Sequence, residues 1–531
     1  MESSEGITIR DLTIRAGGKV LLEGASADFP GGAVTLVLGA SGAGKTVLMK
    51  VLAGLVEPGD RSFEVEGTIG ISGVQVLGKG SARGARRRAP VGIVFQSAAL
   101  FDELSAEENI RFARDHRPRQ SSPARPGGEL APAQLLEELG VPKTVPVSAL
   151  SGGQKQRLAI ARTLAYDPPV VIYDEPTAGL DAANALRVAD RIRSTGEAHG
   201  KTTVVVTHDY EHLAGIAKAI YLLDPERRKL VPLSLEELHA LARQLPGSLA
   251  YQEGETAAPA TCLARLRAGL AGGLEGTGAV LEGAATALLS LVPAWRSIRW
   301  GLRYLRHYLG LVASPSAWLY FGASGMIAGF VSTHFVFKFL PHRNYTEPLI
   351  SDELLNGLGF AMYRIIVPVL LTVLLAARCG AAVASDVGSR VYNHQVDAMR
   401  SMGAAPARYL LTAILYAFLL GTPFLVGIGF LAARYTSLAV FVYNHPDKGP
   451  NFWDGNFHRD LRIPGEVFYR GTPWLLAKLL VVGLGVGVIA YRMGMRPKSS
   501  AVDVSRGITA TIIVSTLYVL LVHFVFAFLE F

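Results

Sequence analysis

Apolar and polar positions divide this chain into two unlike halves. Up to about Arg306, short apolar runs are broken by charge and by Pro/Gly punctuation, whereas long apolar runs dominate from Trp318 to Phe531. That pattern predicts a soluble half followed by a membrane half. In the first half Val34–Leu38, Val91–Phe95, Val170–Tyr173 and Lys201–Val206 read as short buried strands, since a strand covered on both faces needs no polar alternation. Leu158, Ile160, Ala161 and Leu164 recur with helical spacing after Ser151. Leu233–Leu245 reads as a helix, Pro246–Pro259 as a Gly/Glu/Ala/Pro-rich tether and Cys262–Thr286 as a loosely specified helix. Leu291–Leu311 mixes Trp295, Trp300, Tyr304 and Tyr308 with Arg296, Arg299, Arg303, Arg306 and His307, which predicts a helix lying in a membrane interface. Five segments have the length of about 20 residues that a bilayer core requires: Ala317–Leu340, Ile365–Ala384, Tyr409–Ala432, Trp474–Ala490 and Gly507–Leu529.

Composition supports this division. The 531 residues are 50% hydrophobic and 18% charged, and the mean hydropathy of +0.30 is too apolar for a wholly soluble protein. The net charge of +8 raises the question of nucleic acid. However, the basic residues gather in Lys79–Arg88, in Arg111–Arg125 and at the start of the membrane half, and the first two runs lack the interleaved aromatics of a single-strand binder. Attraction to anionic lipid accounts for the charge instead, and no nucleic-acid partner is expected. Cys262 and Cys379, the two cysteines, give neither metal-site spacing nor a disulfide framework. Met1–Gly6 is acidic and polar, unlike a cleavable signal peptide.

The loops orient the spans. Arg390–Arg408 and Arg492–Arg506 carry more basic than acidic residues and are assigned to the cytosol, whereas Pro341–Leu358 is acidic on balance and is placed outside as a loop. Tyr435–Gly471 reads as a long outer loop whose Trp453, His458 and Arg459 are available to a partner. Gly325 and Gly329 form a small-xxx-small pair suited to close helix contact. The expected organisation is residues 1–245 as a nucleotide-binding domain, 246–290 as linker, 291–312 as interfacial helix and 313–531 as membrane domain.

The chemistry starts at Gly39-Ala40-Ser41-Gly42-Ala43-Gly44-Lys45-Thr46, directly after the strand Val34–Leu38. Glycines there let the backbone curl so that N–H groups point inward at the start of a helix, which is a phosphate cradle. Lys45 is placed to reach the β- and γ-phosphates and Thr46 to ligate Mg²⁺. Gln96 ends the strand Val91–Phe95, within reach of Mg²⁺ or an attacking water. Ser151 and Gln154 form a capping-box pattern, and Gly152 and Gly153 bare the N–H groups of that helix start, a second candidate phosphate element. Asp174 and Glu175 end a buried strand, the first suited to hold Mg²⁺ and the second to act as base toward water; His208, after the strand Lys201–Val206, is placed to contact the γ-phosphate.

In this order and spacing the set resembles the nucleotide-binding domain of ABC transporters over roughly residues 5–245. Gly39–Thr46 corresponds to the Walker A loop, Gln96 to the Q-loop, Leu150–Gln154 to the signature sequence, Val170–Glu175 to Walker B, Gly179-Leu180-Asp181 to the D-loop and His208 to the switch histidine. The resemblance implies an α/β P-loop NTPase fold, ATP and Mg²⁺ as ligands, and two domains that sandwich ATP head to tail. Each site would then pair Lys45, Asp174 and Glu175 of one copy with Ser151, Gly152, Gly153, Gln154 and Asp181 of the other. One set per chain makes a homodimer the simplest assembly. The family's adenine-stacking aromatic has no counterpart in Thr13–Gly17, where Arg15 is the residue with a planar face.

In the membrane half, Ala376–Gly388 and Gln395–Pro406 resemble the characteristic segment of MlaE-like permeases, and the similarity extends over about residues 318–531. It implies an all-α polytopic membrane domain with five transmembrane helices, a lipid (phospholipid) substrate, and an extracytoplasmic MCE-domain protein as partner, with room for a small cytosolic regulatory subunit. It also implies that the cytosolic segment Val387–Pro406 couples to the ATPase. The run Arg364-Ile365-Ile366-Val367-Pro368 lacks an acid that many relatives carry. Arg378, Asp386 and Asp397 are the coupling or substrate candidates; Arg378, inside an apolar span, either meets a lipid headgroup phosphate, snorkels to the cytosolic interface or pairs with Asp386. The leading function is a fused ATPase and permease half-transporter moving lipid across the bacterial inner membrane, with its ATPase in the cytosol. The alternative is a membrane-anchored ATPase that transmits force or signal outward without transport.

Overall fold

In a computed structural model, the described residues are 6–40, 42–56, 63–77, 90–118, 131–143, 145–208, 210–238, 289–339 and 343–530, the side chains of 343–349 excepted. Most of the linker 246–290, with the tether Pro246–Pro259 and the helix expected at Cys262–Thr286, lies outside them, as do the end of the helix expected at Leu233–Leu245, the basic runs 79–88 and 119–125, and Ser41. The chain forms two compact units: residues 1–261 together with 393–405, and residues 262–392 together with 406–531.

The first unit is built on two sheets. Strands β1 (Ile7–Ala16), β2 (Lys19–Phe29), β4 (Phe63–Ile71) and β5 (Val74–Leu77) make an antiparallel sheet in the order β2-β1-β4-β5. The second sheet runs β10-β9-β3-β8-β7-β6, from β3 (Val34–Leu38), β6 (Val91–Val94), β7 (Val170–Asp174), β8 (Thr202–Thr207), β9 (Ala219–Asp224) and β10 (Lys229–Leu233). Its members are parallel except β10, and β3, β6 and β8 are buried throughout, which explains their unbroken apolar or threonine-valine character. Helices α1 (Lys45–Leu52), α2 (Ala106–Asp115), α3 (Pro132–Glu138), α4 (Gly152–Tyr166) and α5 (Ala182–His199) complete this unit, with a short helix Gln395–Ser401. Pairing of Leu38 with Thr207, Asp174 with Val206 and Val94 with Tyr173 aligns the carboxyl ends of β3, β8, β7 and β6. Open α/β sheets place their ligand sites at that edge.

The second unit is helical. It contains α6 (Ile298–Val312), α7 (Pro315–Lys338), α8 (Arg343–Ala361), α9 (Val367–Leu375), α10 (Ala381–Tyr392), α11 (Thr412–Asn444), α12 (Gly449–Phe457), α13 (Thr472–Met495) and α14 (Ala501–Glu530). Wide π-helical turns at Met362–Ile366 and Ala376–Gly380 join α8, α9 and α10 into one rod. Among the described residues, five stretches are long and apolar enough to cross a bilayer: Ile298–Lys338, Ile350–Tyr392, Ala407–Asn444, Thr472–Met495 and Ala501–Glu530. The interfacial segment starts its helix at Ile298 rather than Leu291, after Pro293; Trp300, Tyr304 and Tyr308 are its buried stripe, and Arg299 and Arg306 are exposed. Gly325 and Gly329 do meet a partner helix. A Cβ on either would lie 2.0 Å from the Gly429 carbonyl oxygen or 2.2 Å from that of Ala433, so α7 and α11 touch backbone to backbone.

Two expected outer loops are corrected. Pro341–Leu358 is helical from Arg343, because its polar residues have fixed partners: Arg459 pairs with Glu353 at 2.5 Å and with Asp352 at 3.6 Å, and Asn356 donates to Asp460 at 2.6 Å. Tyr435–Gly471 continues α11 to Asn444 and then forms α12, in which Trp453 stacks on Phe457 at 4.2 Å. Trp453 and His458 are buried rather than available to a partner, and Arg459 is engaged.

Candidate functional site

Lys45 opens α1 as Gly44 turns the chain at φ 100°, with Gly42 at φ 82°; both are left-handed conformations that glycine adopts without cost. Gly39 and Ala43 are buried, Ala40 and Gly44 half-buried, and Gly42 and Thr46 exposed at the mouth of this loop; Ser41 lies outside the described residues. The Lys45 ammonium donates to the carbonyls of Gly39 at 2.8 Å and Ala40 at 3.1 Å and stands 3.6 Å from the Glu175 carboxylate.

Glu175 is the hub of the adjacent strand ends. Its backbone is left-handed, φ 45°, an uncommon conformation for a residue with a side chain. The same Oε2 accepts from Thr207 Oγ1 at 3.0 Å and the His208 backbone N–H at 3.2 Å, and the His208 Nδ1 lies 2.8 Å away. Asp174, mostly buried, is pushed above the usual carboxylate range by burial and then by the charge of Glu175, against the pull of His394, Lys45 and Lys50. Thr46, Asp174 and Gln96 offer hard oxygen donors beside the second carboxylate of Glu175, a set that fits Mg²⁺ bound through few protein ligands and phosphate.

Gln96 is exposed after β6, and the turn behind it is strained: Ala98 and Ala99 have φ of 60° and 47°. Arg162 of α4, 1% exposed, holds that turn by donating to the carbonyls of Ala99 at 2.5 Å and Ala98 at 3.2 Å. Sequence reasoning missed Arg162, whose helical-face position marks it only as an inward residue. Ser151 and Gln154 form the expected capping box, so Gly152 and Gly153 present exposed N–H groups at the start of α4. Asp181 caps α5 through the Asn184 N–H at 2.8 Å, and these hydrogen bonds hold its carboxyl below the usual range. Arg15 is paired with Glu64 at 3.2 Å.

The segment 393–405 supplies the remaining contacts of this unit. His394 stacks on Phe95 with 5.4 Å between centroids, Gln395 donates to Asp102 at 3.0 Å, and Lys50 of α1 pairs with Asp397 at 3.3 Å. In the membrane unit Asp386 accepts from Arg390 Nε at 2.7 Å and Tyr308 at 3.0 Å and lies 3.2 Å from His307, so it is not the partner of Arg378. The Glu530 carboxylate, its side chain 1% exposed, pairs with both Arg364 and Lys478, another buried group that sequence reasoning missed because distant helices deliver it.

These features define an ATP-binding-cassette ATPase joined to a membrane permease. The ABC transporter family model matches residues 22–178 and the Permease MlaE model residues 321–529. The sulfate/thiosulfate import ATP-binding protein CysA of Burkholderia mallei is 37% identical over 225 residues, 42% of this chain and 61% of that protein. The taurine import ATP-binding protein TauB of Jannaschia sp. is 33% identical over 227 residues, 41% of this chain and 78% of that protein. A dimeric post-hydrolysis ATP-binding cassette with ADP and Pi is 26% identical, at a TM-score of 0.34 over 42% of this chain and 96% of that one. The chain belongs to the ABC transporter family, as a multi-pass membrane protein in which one polypeptide carries the ATPase domain and an MlaE-type permease domain. It spans 61% of the length of the first CysA relatives it matches.

Proposed function

We propose that the chain is half of an ATP-driven phospholipid transporter of the bacterial inner membrane, working as a homodimer with its ATPase unit in the cytosol. The observation that carries this reading is the joining, in one chain, of the Lys45–Glu175–His208 strand-end cluster to an MlaE-type permease with five spanning stretches. The sulfate and taurine names belong to ATP-binding proteins that match 42% and 41% of this chain. Cargo is selected in a permease, and this permease is of the MlaE type. An extracytoplasmic MCE-domain protein is the proposed partner outside, and a small regulatory subunit the one inside.

The residues divide the work. Lys45 exchanges the carbonyls of Gly39 and Ala40 for phosphate oxygens, while the amides of Gly39, Ala40, Gly42, Ala43, Gly44 and Thr46 line the cradle. Thr46, Asp174 and Gln96 would hold Mg²⁺, which supplies charge neutralisation at the phosphates. Glu175 orients water and takes its proton at a carboxylate oxygen, with His208 and Thr207 fixing the rotamer. Ser151, Gly152, Gly153, Gln154 and Asp181 would complete the site of the second copy.

Reconstitution in phospholipid vesicles tests this reading. Wild type should transfer a fluorescent phospholipid with ATP, and Glu175→Gln should lose hydrolysis by about 10²-fold or more while still binding ATP. ATP hydrolysis without lipid movement, with the proposed partners present, would refute transport; unchanged hydrolysis in Glu175→Gln would refute the general base.

A further inference from the structure

Four cations within the spanning stretches meet acids: Arg364 and Lys478 meet Glu530, Arg390 meets Asp386 and Arg434 meets Asp454. Arg378 is different. It sits half-buried in the π-helical turn Ala376–Gly380, inside the second spanning stretch, whose mean hydropathy reaches 2.2. One terminal nitrogen donates to Ser314 Oγ at 3.1 Å and Ser316 Oγ at 2.9 Å, and the other reaches Cys379 Sγ at 3.6 Å. All three partners are neutral, and among the described residues no carboxylate lies within ion-pair distance of it. Asp386, the acid nearest in sequence, is taken by Arg390, Tyr308 and His307.

An unneutralised guanidinium in a span is stabilised by an anion, and spans that carry such charges commonly use them on ligands or ion paths. Nη2 serves both serines and one Nη1 hydrogen faces Cys379, which leaves the second Nη1 hydrogen and the Nε hydrogen, on different edges of the guanidinium, each free to donate singly to a phosphate oxygen. The two serine oxygens lie 3.0 Å apart, so one hydroxyl hydrogen bridges them and the other remains free to donate. The surface beside the serines is apolar: Trp318 packs edge-on against Phe424 while remaining 44% exposed, and Leu319 is 77% exposed. Acyl chains fit such a surface, whereas a free phosphate gains nothing from it.

We propose that Arg378, with the hydroxyls of Ser314 and Ser316, binds the phosphate of a membrane phospholipid. The site rests on the lipid reading of this permease for its ligand, and it stands whether that lipid is cargo or a resident of the fold.

The test is native mass spectrometry of the full-length protein purified with a defined mixture of phosphatidylglycerol and an uncharged diacyl glycolipid. Wild type should retain phosphatidylglycerol preferentially, Arg378→Gln should lose about tenfold in occupancy, and Arg378→Lys should fall between, keeping the charge without the rigid planar donor set that spans serines and phosphate. Matching elution and thermal unfolding of Arg378→Lys and wild type show that the loss is not misfolding. Equal retention in wild type and Arg378→Gln would overturn the proposal and leave an arginine that only snorkels. Displacement of the lipid by millimolar inorganic phosphate would also overturn it, in favour of a free anion. Vesicle transfer separates the two readings. Lipid retained at Arg378 by a protein that transfers none sinks transport alone, whereas ATP-driven transfer by a wild type with no Arg378-dependent lipid sinks this site alone.

Discussion

The pair between Lys50 and Asp397 offers a quantitative test of what holds residues 393–405 in the ATPase unit. The charges lie 3.3 Å apart, with the lysine side chain 30% and the aspartate 16% exposed. At an effective dielectric of about 20 the bare attraction is about 5 kcal/mol, but desolvation and screening reduce such pairs to roughly 1 kcal/mol. Asp397 also faces His394 at 3.2 Å and Arg400 at 3.9 Å. Burial opposes its ionisation, yet His394, Lys50 and Arg400 hold its carboxyl below the usual range. The charge is thus favoured by folding: its stabilisation is complete above the unfolded value of about 3.9 and disappears as pH falls through the lower folded value. Hydrogen exchange across 393–405 reads the opening energy locally, which suits a chain of two units better than global unfolding. At neutral pH Asp397→Asn should cost about 2 kcal/mol and Lys50→Gln about 1, the latter quickening exchange about fivefold. The double variant should cost about 2, short of the sum by the pair's roughly 1 kcal/mol. Strict additivity, or unchanged exchange in Asp397→Asn, would refute an ion pair at this place.

Further outcomes follow from packing and burial. Gly329→Val puts a side chain into the α7–α11 contact, where even a Cβ meets a carbonyl oxygen at 2.2 Å, and should cost about 1–3 kcal/mol or more, read as a lower Tm in detergent. Gly427→Ala on α11, with open space around its Cβ, should leave Tm nearly unchanged. Glu530→Gln strips the buried partner from Arg364 and Lys478 and should cost about 3–5 kcal/mol, with Glu530→Asp milder; a neutral result by thermal unfolding would mean that those cations find water. Ser151→Ala removes an N-cap and should destabilise α4 by about 1 kcal/mol, visible as faster exchange in its first turn.

What the sequence by itself determined were features carried by local pattern. The glycines that bend the loop before Lys45, the apolar runs of β3, β6 and β7, the capping box at Ser151 and the existence of five spans depend on neighbours within a few residues, and each stands where the pattern places it. Hydropathy failed where polar residues are paid for by distant partners. The helix at Arg343–Ala361 and the burial of Trp453 and His458 rest on Asp352, Glu353 and Asn356 meeting residues about a hundred positions away. Tertiary structure alone decided the pairing of charges: Asp386 with Arg390 rather than Arg378, Asp397 with Lys50, Glu530 with two cations. An ion pair is fixed by proximity in space, and sequence spacing reports proximity only within one helix or strand. For the same reason Arg162, which spans from α4 to the turn after Gln96, could be assigned only once the fold had brought the two together.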